Sequence, residues 1–277
     1  MIKYLINCLV VLAGITCLSY SNSQIEKAKT YQVWYEMKYL RDSLDENSLI
    51  METMELFTNG ELSLFRSYEY SAIDSTKFGF SSNRISLEQK NILSTYYITK
   101  DLKSNMVGFF DKIRLGNKDS YVYYENIENQ KETWILTDET DSLKGFYCQK
   151  ALIDFGGRRW IAWFSNDIPI SDGPYKFSNL PGLIIDLHDT TDTWRFSLMK
   201  LKEVKEMPKN HKLGTAKEIK KEDYYALKKN YRDNMVAVEE ASGDSFYIFS
   251  SPSERNRFVN SKSRSSKKDN NWIELYP

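Results

Sequence analysis

Phe146-Tyr147-Cys148-Gln149-Lys150-Ala151-Leu152-Ile153-Asp154-Phe155-Gly156-Gly157-Arg158-Arg159-Trp160-Ile161-Ala162-Trp163-Phe164-Ser165 is the stretch from which the fold is read. Two strand-like runs flank a Gly-Gly pair, which supplies the positive φ that a tight hairpin turn demands. Trp160, Ala162 and Phe164 project to one side of the second run, Ile161 and Trp163 to the other. A strand apolar on both faces is either central in a sandwich or has one face lining a cavity.

Working outward, the same signal recurs. Tyr31 to Tyr39 alternates with period two, as a half-buried strand does. Residues 50–66 are split by Asn59-Gly60, a pair suited to a type I′ turn. Residues 92–99 and 106–113 read as strands, and 86–90 as the start of a short helix. Residues 121–127 and 132–137 read as an antiparallel pair. Leu183–His188 and Thr193–Val204 form a further hairpin through Asp189-Thr190-Thr191-Asp192. Helical spacing is clear once, over 215–235, where Ile219, Tyr224, Leu227 and Tyr231 recur every three to five residues. Ser261 to Lys268 is polar and basic and reads as a mobile loop over 261–270. The expectation is a mainly β, β-rich α+β domain: an antiparallel, curved sheet or half-barrel built from hairpins, with one amphipathic helix.

The N-terminus carries Lys3, an apolar run from Leu5 to Leu18 and a small-residue tail. This reads as a signal peptide over residues 1–23, cleaved after Ser21 or Ser23, with Ser23 favoured, leaving one β-rich domain over 24–277. A run of fourteen residues is short for a membrane span, so no transmembrane segment is expected after cleavage. Cys17 follows Gly14-Ile15-Thr16, a poor match to a lipidation signal. Cys148 is then the one remaining cysteine, and its strand context reads as a buried, inert thiol. Lys+Arg and Asp+Glu both number 38, so net charge gives no reason to expect nucleic acid as a partner.

Three of the six prolines fall between Asp167 and Ile184. This run reads as a stiff connection ending in a type II turn at Leu180-Pro181-Gly182-Leu183, with Gly182 at positive φ. Tyr175 and Phe177 leave one side of it as the expected ligand contacts of a rigid lip, joined by Trp160, Trp163 and Arg158 as binding candidates. Arg158 and Arg159 can grip a carboxylate or phosphate, or cap a strand with one of them stacked on Trp160 or Tyr147. Asp186 and His188 lie on one strand face and are the weak candidates for metal or proton chemistry; Asp189 and Asp192 suit a turn. With only two histidines and none of the common phosphate-loop, dinucleotide, metalloprotease or hydrolase motifs, no catalytic residue and no cofactor is nominated.

Asn179-Leu180-Pro181-Gly182-Leu183-Ile184 resembles the signature of the GLPGLI family of bacterial exported proteins. Cys148-Gln149-Lys150-Ala151, Gly156-Gly157-Arg158, Trp160 to Phe164, Ile168-Pro169-Ile170, Gly173-Pro174-Tyr175-Lys176-Phe177 and the closing Asn271-Trp272-Ile273-Glu274-Leu275 are similar to that family too. Asn179 stands where the signature has Gly, and asparagine is the best substitute at positive φ. The resemblance implies a β-rich build and a place in the envelope of bacteria with an outer membrane, periplasmic or outer-membrane-associated. It brings no established activity. The expected role is a non-enzymatic protein binding an apolar or peptide-like ligand or an envelope protein. The alternatives are an envelope hydrolase or metal-dependent enzyme built on Asp186 and His188, and an assembly accessory.

Overall fold

The computed structural model describes residues 29–71, 94–111, 121–128, 133–208, 216–242 and 247–275. The signal-peptide reading, Cys17 and the short helix expected at 86–90 lie outside these residues. Among them, no helix is long and apolar enough to cross a membrane.

One twelve-stranded sheet organises the chain, in the order β12-β6-β5-β4-β3-β2-β1-β11-β10-β9-β8-β7. The chain starts in the middle with β1 (Thr30–Leu40) and meanders outward through β2 (Leu49–Thr58), β3 (Leu62–Ser67), β4 (Tyr97–Asp101), β5 (Met106–Asp111) and β6 (Tyr121–Asn126). It then moves to the far edge and returns through β7 (Ile135–Leu143), β8 (Phe146–Phe155), β9 (Arg158–Ser165), β10 (Leu183–Asp189) and β11 (Trp194–Val204), which pairs with β1. Every pairing is antiparallel except that of β12 (Lys217–Glu218) with β6. The sheet is unclosed, ending at β12 and β7.

The hairpins arise where turn chemistry allows. Gly156 and Gly157 take φ of 59° and 78°, and β8 and β9 end on either side of them. Lys144 and Gly145 do the same for β7 and β8. At Asn59-Gly60 the hairpin forms without a type I′ turn. Only Gly60 is at positive φ, while the Asn59 side chain accepts from the N–H groups of Glu61 and Leu62. The expected pairing of 121–127 with 132–137 does not occur: β6 pairs with β5 and β7 with β8.

The main core covers one sheet face, with Val33, Tyr35 and Met37 of β1 fully buried beside Phe65, Ile98, Ala162 and Phe196. Helix α1 (Lys221–Ser242) packs Tyr224 onto it, 5.5 Å from the Phe109 ring and 5.3 Å from that of Tyr123. It starts later than the expected 215, because Lys217 and Glu218 are in β12, and it kinks at Asn234. The basic segment read as a mobile loop is instead the end of helix α2 (Pro252–Lys267). Ser251 caps it by accepting from the Glu254 N–H, Pro252 opens its first turn, and Ser266 donates to the Arg232 carbonyl of α1.

Candidate functional site

The proline-rich segment is a plug in the core rather than an exposed lip. Tyr175 and Phe177 are 1% and 0% exposed. Phe177 packs 4.9 Å from Trp160 and 5.0 Å from Phe155, and Tyr175 meets the edges of Tyr96 and Phe109. Trp160 is buried as well and donates to the Phe155 carbonyl. Tyr175 and Asn179 hold φ of 55° and 69°, so Asn179 does take the left-handed conformation expected of a glycine substitute. Gly182 does not, and there is no type II turn. A Cβ on it would sit 2.0 Å from the Ser165 carbonyl oxygen, so glycine is required there by close approach to the end of β9. Leu180, Leu183 and Ile184 are buried, and Pro181 is exposed.

The plug brings charge inside, and each charge finds a partner. Lys100 pairs with Asp172 at 2.5 Å, both fully buried, and donates to the carbonyls of Gly173 and Phe177. Lys176 meets Glu274 at 2.5 Å, the Tyr123 hydroxyl at 2.9 Å, and Glu125. Lys221 bridges the same two carboxylates, and Tyr175 donates to Glu274. Burial pushes the Glu274 carboxyl upward, but the ammoniums of Lys176 and Lys221 win and hold it well below the usual range. Arg158 grips the Asp189 carboxylate at 2.9 Å and donates to Asn271 and to the carbonyls of Trp272 and Ile273. Sequence elements far apart in the chain thus meet in two ionic ties that hold residues 271–274 against the sheet. The inner pair, Lys176 and Glu274, is 0% and 1% exposed and suits structural duty, while Glu125 and Lys221 at the rim are 17% and 19% exposed.

Asp186 and His188 do come together, at 3.0 Å on the outer face. Both Asp186 oxygens are occupied, Oδ1 by His188 and Arg195, Oδ2 by Ser197 and Arg195. Burial raises its pKa, and these donors reverse that to a net lowering. Among the described residues, no group of three or more His, Cys, Asp or Glu side chains is placed to hold a metal ion. Trp163 lies half-buried on this outer face with the Lys150 ammonium over its ring. Cys148 is buried, and desolvation raises its thiol pKa.

Sequence reasoning missed a pocket on the opposite face of the other half of the sheet. Phe57, Leu64, Tyr70, Tyr97, Phe110 and Val122 form a second, smaller core there, covered by Val204, Met207 and Ala216. Among the described residues, a mostly apolar pocket of about 340 Å³ lies beside this cluster. Leu62, Leu64, Met106, Tyr124, Met207 and Pro208 wall it. Gly108 lets the Tyr124 and Phe110 rings lie over the strand, since a Cβ there would come within 3.0 Å of both. The signal available was the apolar residue on both faces of β3: Leu62 and Leu64 against Phe65.

The class defined by this architecture is a β-rich, unclosed and mostly antiparallel sheet with helices against it. Structures of PNGF-II in two space groups share the fold, with TM-scores of 0.53 and 0.51 at 17% identity over 72% of this chain. The chain spans about a third of the length of those structures, 33% and 32%. The model of a family described as "Protein of unknown function (Porph_ging)" matches residues 157–186, from the β8–β9 turn through the plug into β10. No curated protein matches the sequence.

Proposed function

We propose that this is an exported envelope protein of the GLPGLI type, periplasmic or outer-membrane-associated, that binds an apolar ligand without chemistry of its own. The pocket of about 340 Å³ over β3–β6 carries the reading. It lies at the lower end of the size range of ligand sites, and its surface is mostly apolar, with Ser63, Thr99, Lys100 and Asp101 also in the lining. An apolar surface left uncovered in a soluble protein is costly unless something occupies it. The Asp186–His188 pair supports no hydrolase reading, because its carboxylate is committed to Arg195 and Ser197. The binding site thereby moves from Tyr175 and Phe177, which are core, to Leu62 and Met106, which stand at the mouth with 51% and 37% exposure.

Titration of the purified protein with a fluorescent naphthalene-sulfonate dye tests this. Saturable binding that falls at least tenfold in Leu62→Asp, with unchanged melting, is expected. Equal binding by the variant rejects the pocket as the site. Sequencing the N-terminus of the exported form tests the localisation: a start at Gln24 is expected, and a start at Met1 or a lipidated Cys17 rejects it.

A further inference from the structure

We propose that the outer face of helix α2 docks the protein electrostatically on the surface of a bilayer rich in anionic head groups. The proposal rests on the envelope localisation above and narrows it to one site; it is independent of the apolar pocket.

Helix α2 buries very little. Of its 16 residues, Ser266 alone is buried. The helix is held to α1 by the Ser266 bond to the Arg232 carbonyl and by the Arg255–Glu240 ion pair, and Phe258 packs 4.8 Å from Tyr247 and 5.4 Å from Phe249. The opposite face is cationic. At about 100° per residue, Arg257, Arg264 and the C-cap Lys268 fall within about 40° of one another, with Lys267 alongside. All four are exposed, and they extend along about 17 Å of the helix. Asn260, Ser261 and Ser265 stand among them. Glu254 is the one carboxylate of α2, and it is engaged at the start of the helix by the Ser250 N–H.

Among the described residues, the ion pair that α2 makes is Arg255 with Glu240; Arg257, Arg264, Lys267 and Lys268 make none. Arg264 reaches the Asn260 carbonyl, and Lys268 lies close enough to Asp42 to help lower its carboxyl pKa. Arg264 is three residues from Lys267 and four from Lys268, and like charges at those spacings repel and weaken a helix. The helix dipole favours the cations of the last turn, but it gives no reason for Arg257, six residues in. A helix polar on every side and cationic on one is relieved by an external anion. The chemistry of the face selects which anion. It carries no apolar or aromatic side chain, so it lacks the desolvated centre of a protein interface and the stacking platform for single-stranded nucleic acid. A bilayer surface offers a plane of phosphates that several point charges meet at once, without shape complementarity.

Co-sedimentation of the exported form with phosphatidylcholine vesicles carrying about 30% phosphatidylglycerol tests the proposal. Binding is expected there, about tenfold or more weaker on pure phosphatidylcholine, and lost between about 0.05 M and about 0.5 M salt. Arg257→Gln with Arg264→Gln should weaken it about tenfold or more at an unchanged melting temperature. Arg257→Lys with Arg264→Lys keeps the charge and should bind within about threefold of the parent. Lys200→Gln with Lys202→Gln removes the same charge from exposed sites on β11 and should change binding by less than about twofold. Equal binding to uncharged vesicles overturns the electrostatic docking. An equal loss in the Lys200 and Lys202 variant assigns the effect to net charge and overturns the site. A loss in the lysine variant points to a guanidinium-specific partner and overturns adsorption, as does tighter capture by duplex DNA or polyglutamate than by anionic vesicles. Absence of binding removes the docking, while N-terminal sequencing and dye titration still decide localisation and pocket separately.

Discussion

The two faces of the sheet solve the burial problem in opposite ways. The main face is filled by the plug, which packs on β4–β6 as well as on β8 and β9, and is tied down by buried charges: Lys100 with Asp172, Lys176 with Glu274, and Arg158 with Asp189 and residues 271–273. Over β3–β6 the second face carries a smaller, mostly apolar cluster packed by Val204, Met207 and Ala216, with a pocket beside it. Buried ion pairs add little net stability, but losing one partner is expensive, so they fix one arrangement against all others. An apolar face tolerates partial cover and exchange of what covers it. One face is built to be unique, while the other leaves room beside its core.

The largest effect that would break this contrast is at Gly182. Gly182→Val drives a Cβ into the Ser165 carbonyl, found 2.0 Å away, and should cost about 4 kcal/mol or more by urea denaturation. An unchanged midpoint would disprove the close approach. Glu274→Ala leaves the fully buried Lys176 with Glu125 as its remaining carboxylate and should cost about 3 kcal/mol, part of it recovered in the double variant with Lys176→Met. No recovery would mean that the pair is not coupled.

The same carboxylate sets a pH dependence. Its folded pKa is depressed, so its contribution is fully present above the ordinary glutamate value of about 4.3 and is lost as pH falls through the lower folded value. Thermal melts from pH 6 to pH 2 should show this acid loss, and it should be smaller in Glu274→Gln. Cys148→Ala should cost about 1–2 kcal/mol, and the native thiol should react with a disulfide reagent only once denaturant is added. Smallest of all, Met106→Asp, at the pocket mouth, should move stability by about 0.5 kcal/mol or less while abolishing dye binding. Destabilisation equal to that of Glu274→Ala would erase the distinction between the two faces.

What could be read in advance was what is decided locally. The β8–β9 hairpin runs over 146–155 and 158–165, where the Gly-Gly turn and the flanking alternation placed it. Asn179 at positive φ followed from the resemblance to a signature with glycine at that place, together with asparagine's tolerance of the conformation. Non-local choices were not legible. Lys176 between two aromatics reads as an exposed, alternating edge until its partner Glu274, 98 residues on, is seen to accept the charge inside. Strand β7 looked like the mate of β6 by proximity in sequence, yet the Lys144-Gly145 turn commits it to β8. Helix α2 hid behind its polarity, although Ser251-Pro252-Ser253-Glu254 is a good helix start and was there to be used. The pocket needed a fact absent from any window: which strands are neighbours.

The central pairing of β1 with β11, Thr30 opposite Val204, has a kinetic consequence. A chain made from its N-terminus completes the β1–β6 meander while the second edge of β1 is still bare, because its mate lies more than 150 residues downstream. Until β11 arrives, that edge is a row of free amides and carbonyls open to any passing strand. Folding therefore waits on a long-range closure of high contact order. The half-made protein is the form at risk of aggregation, and a chaperone that shields β1 would act before any ligand could.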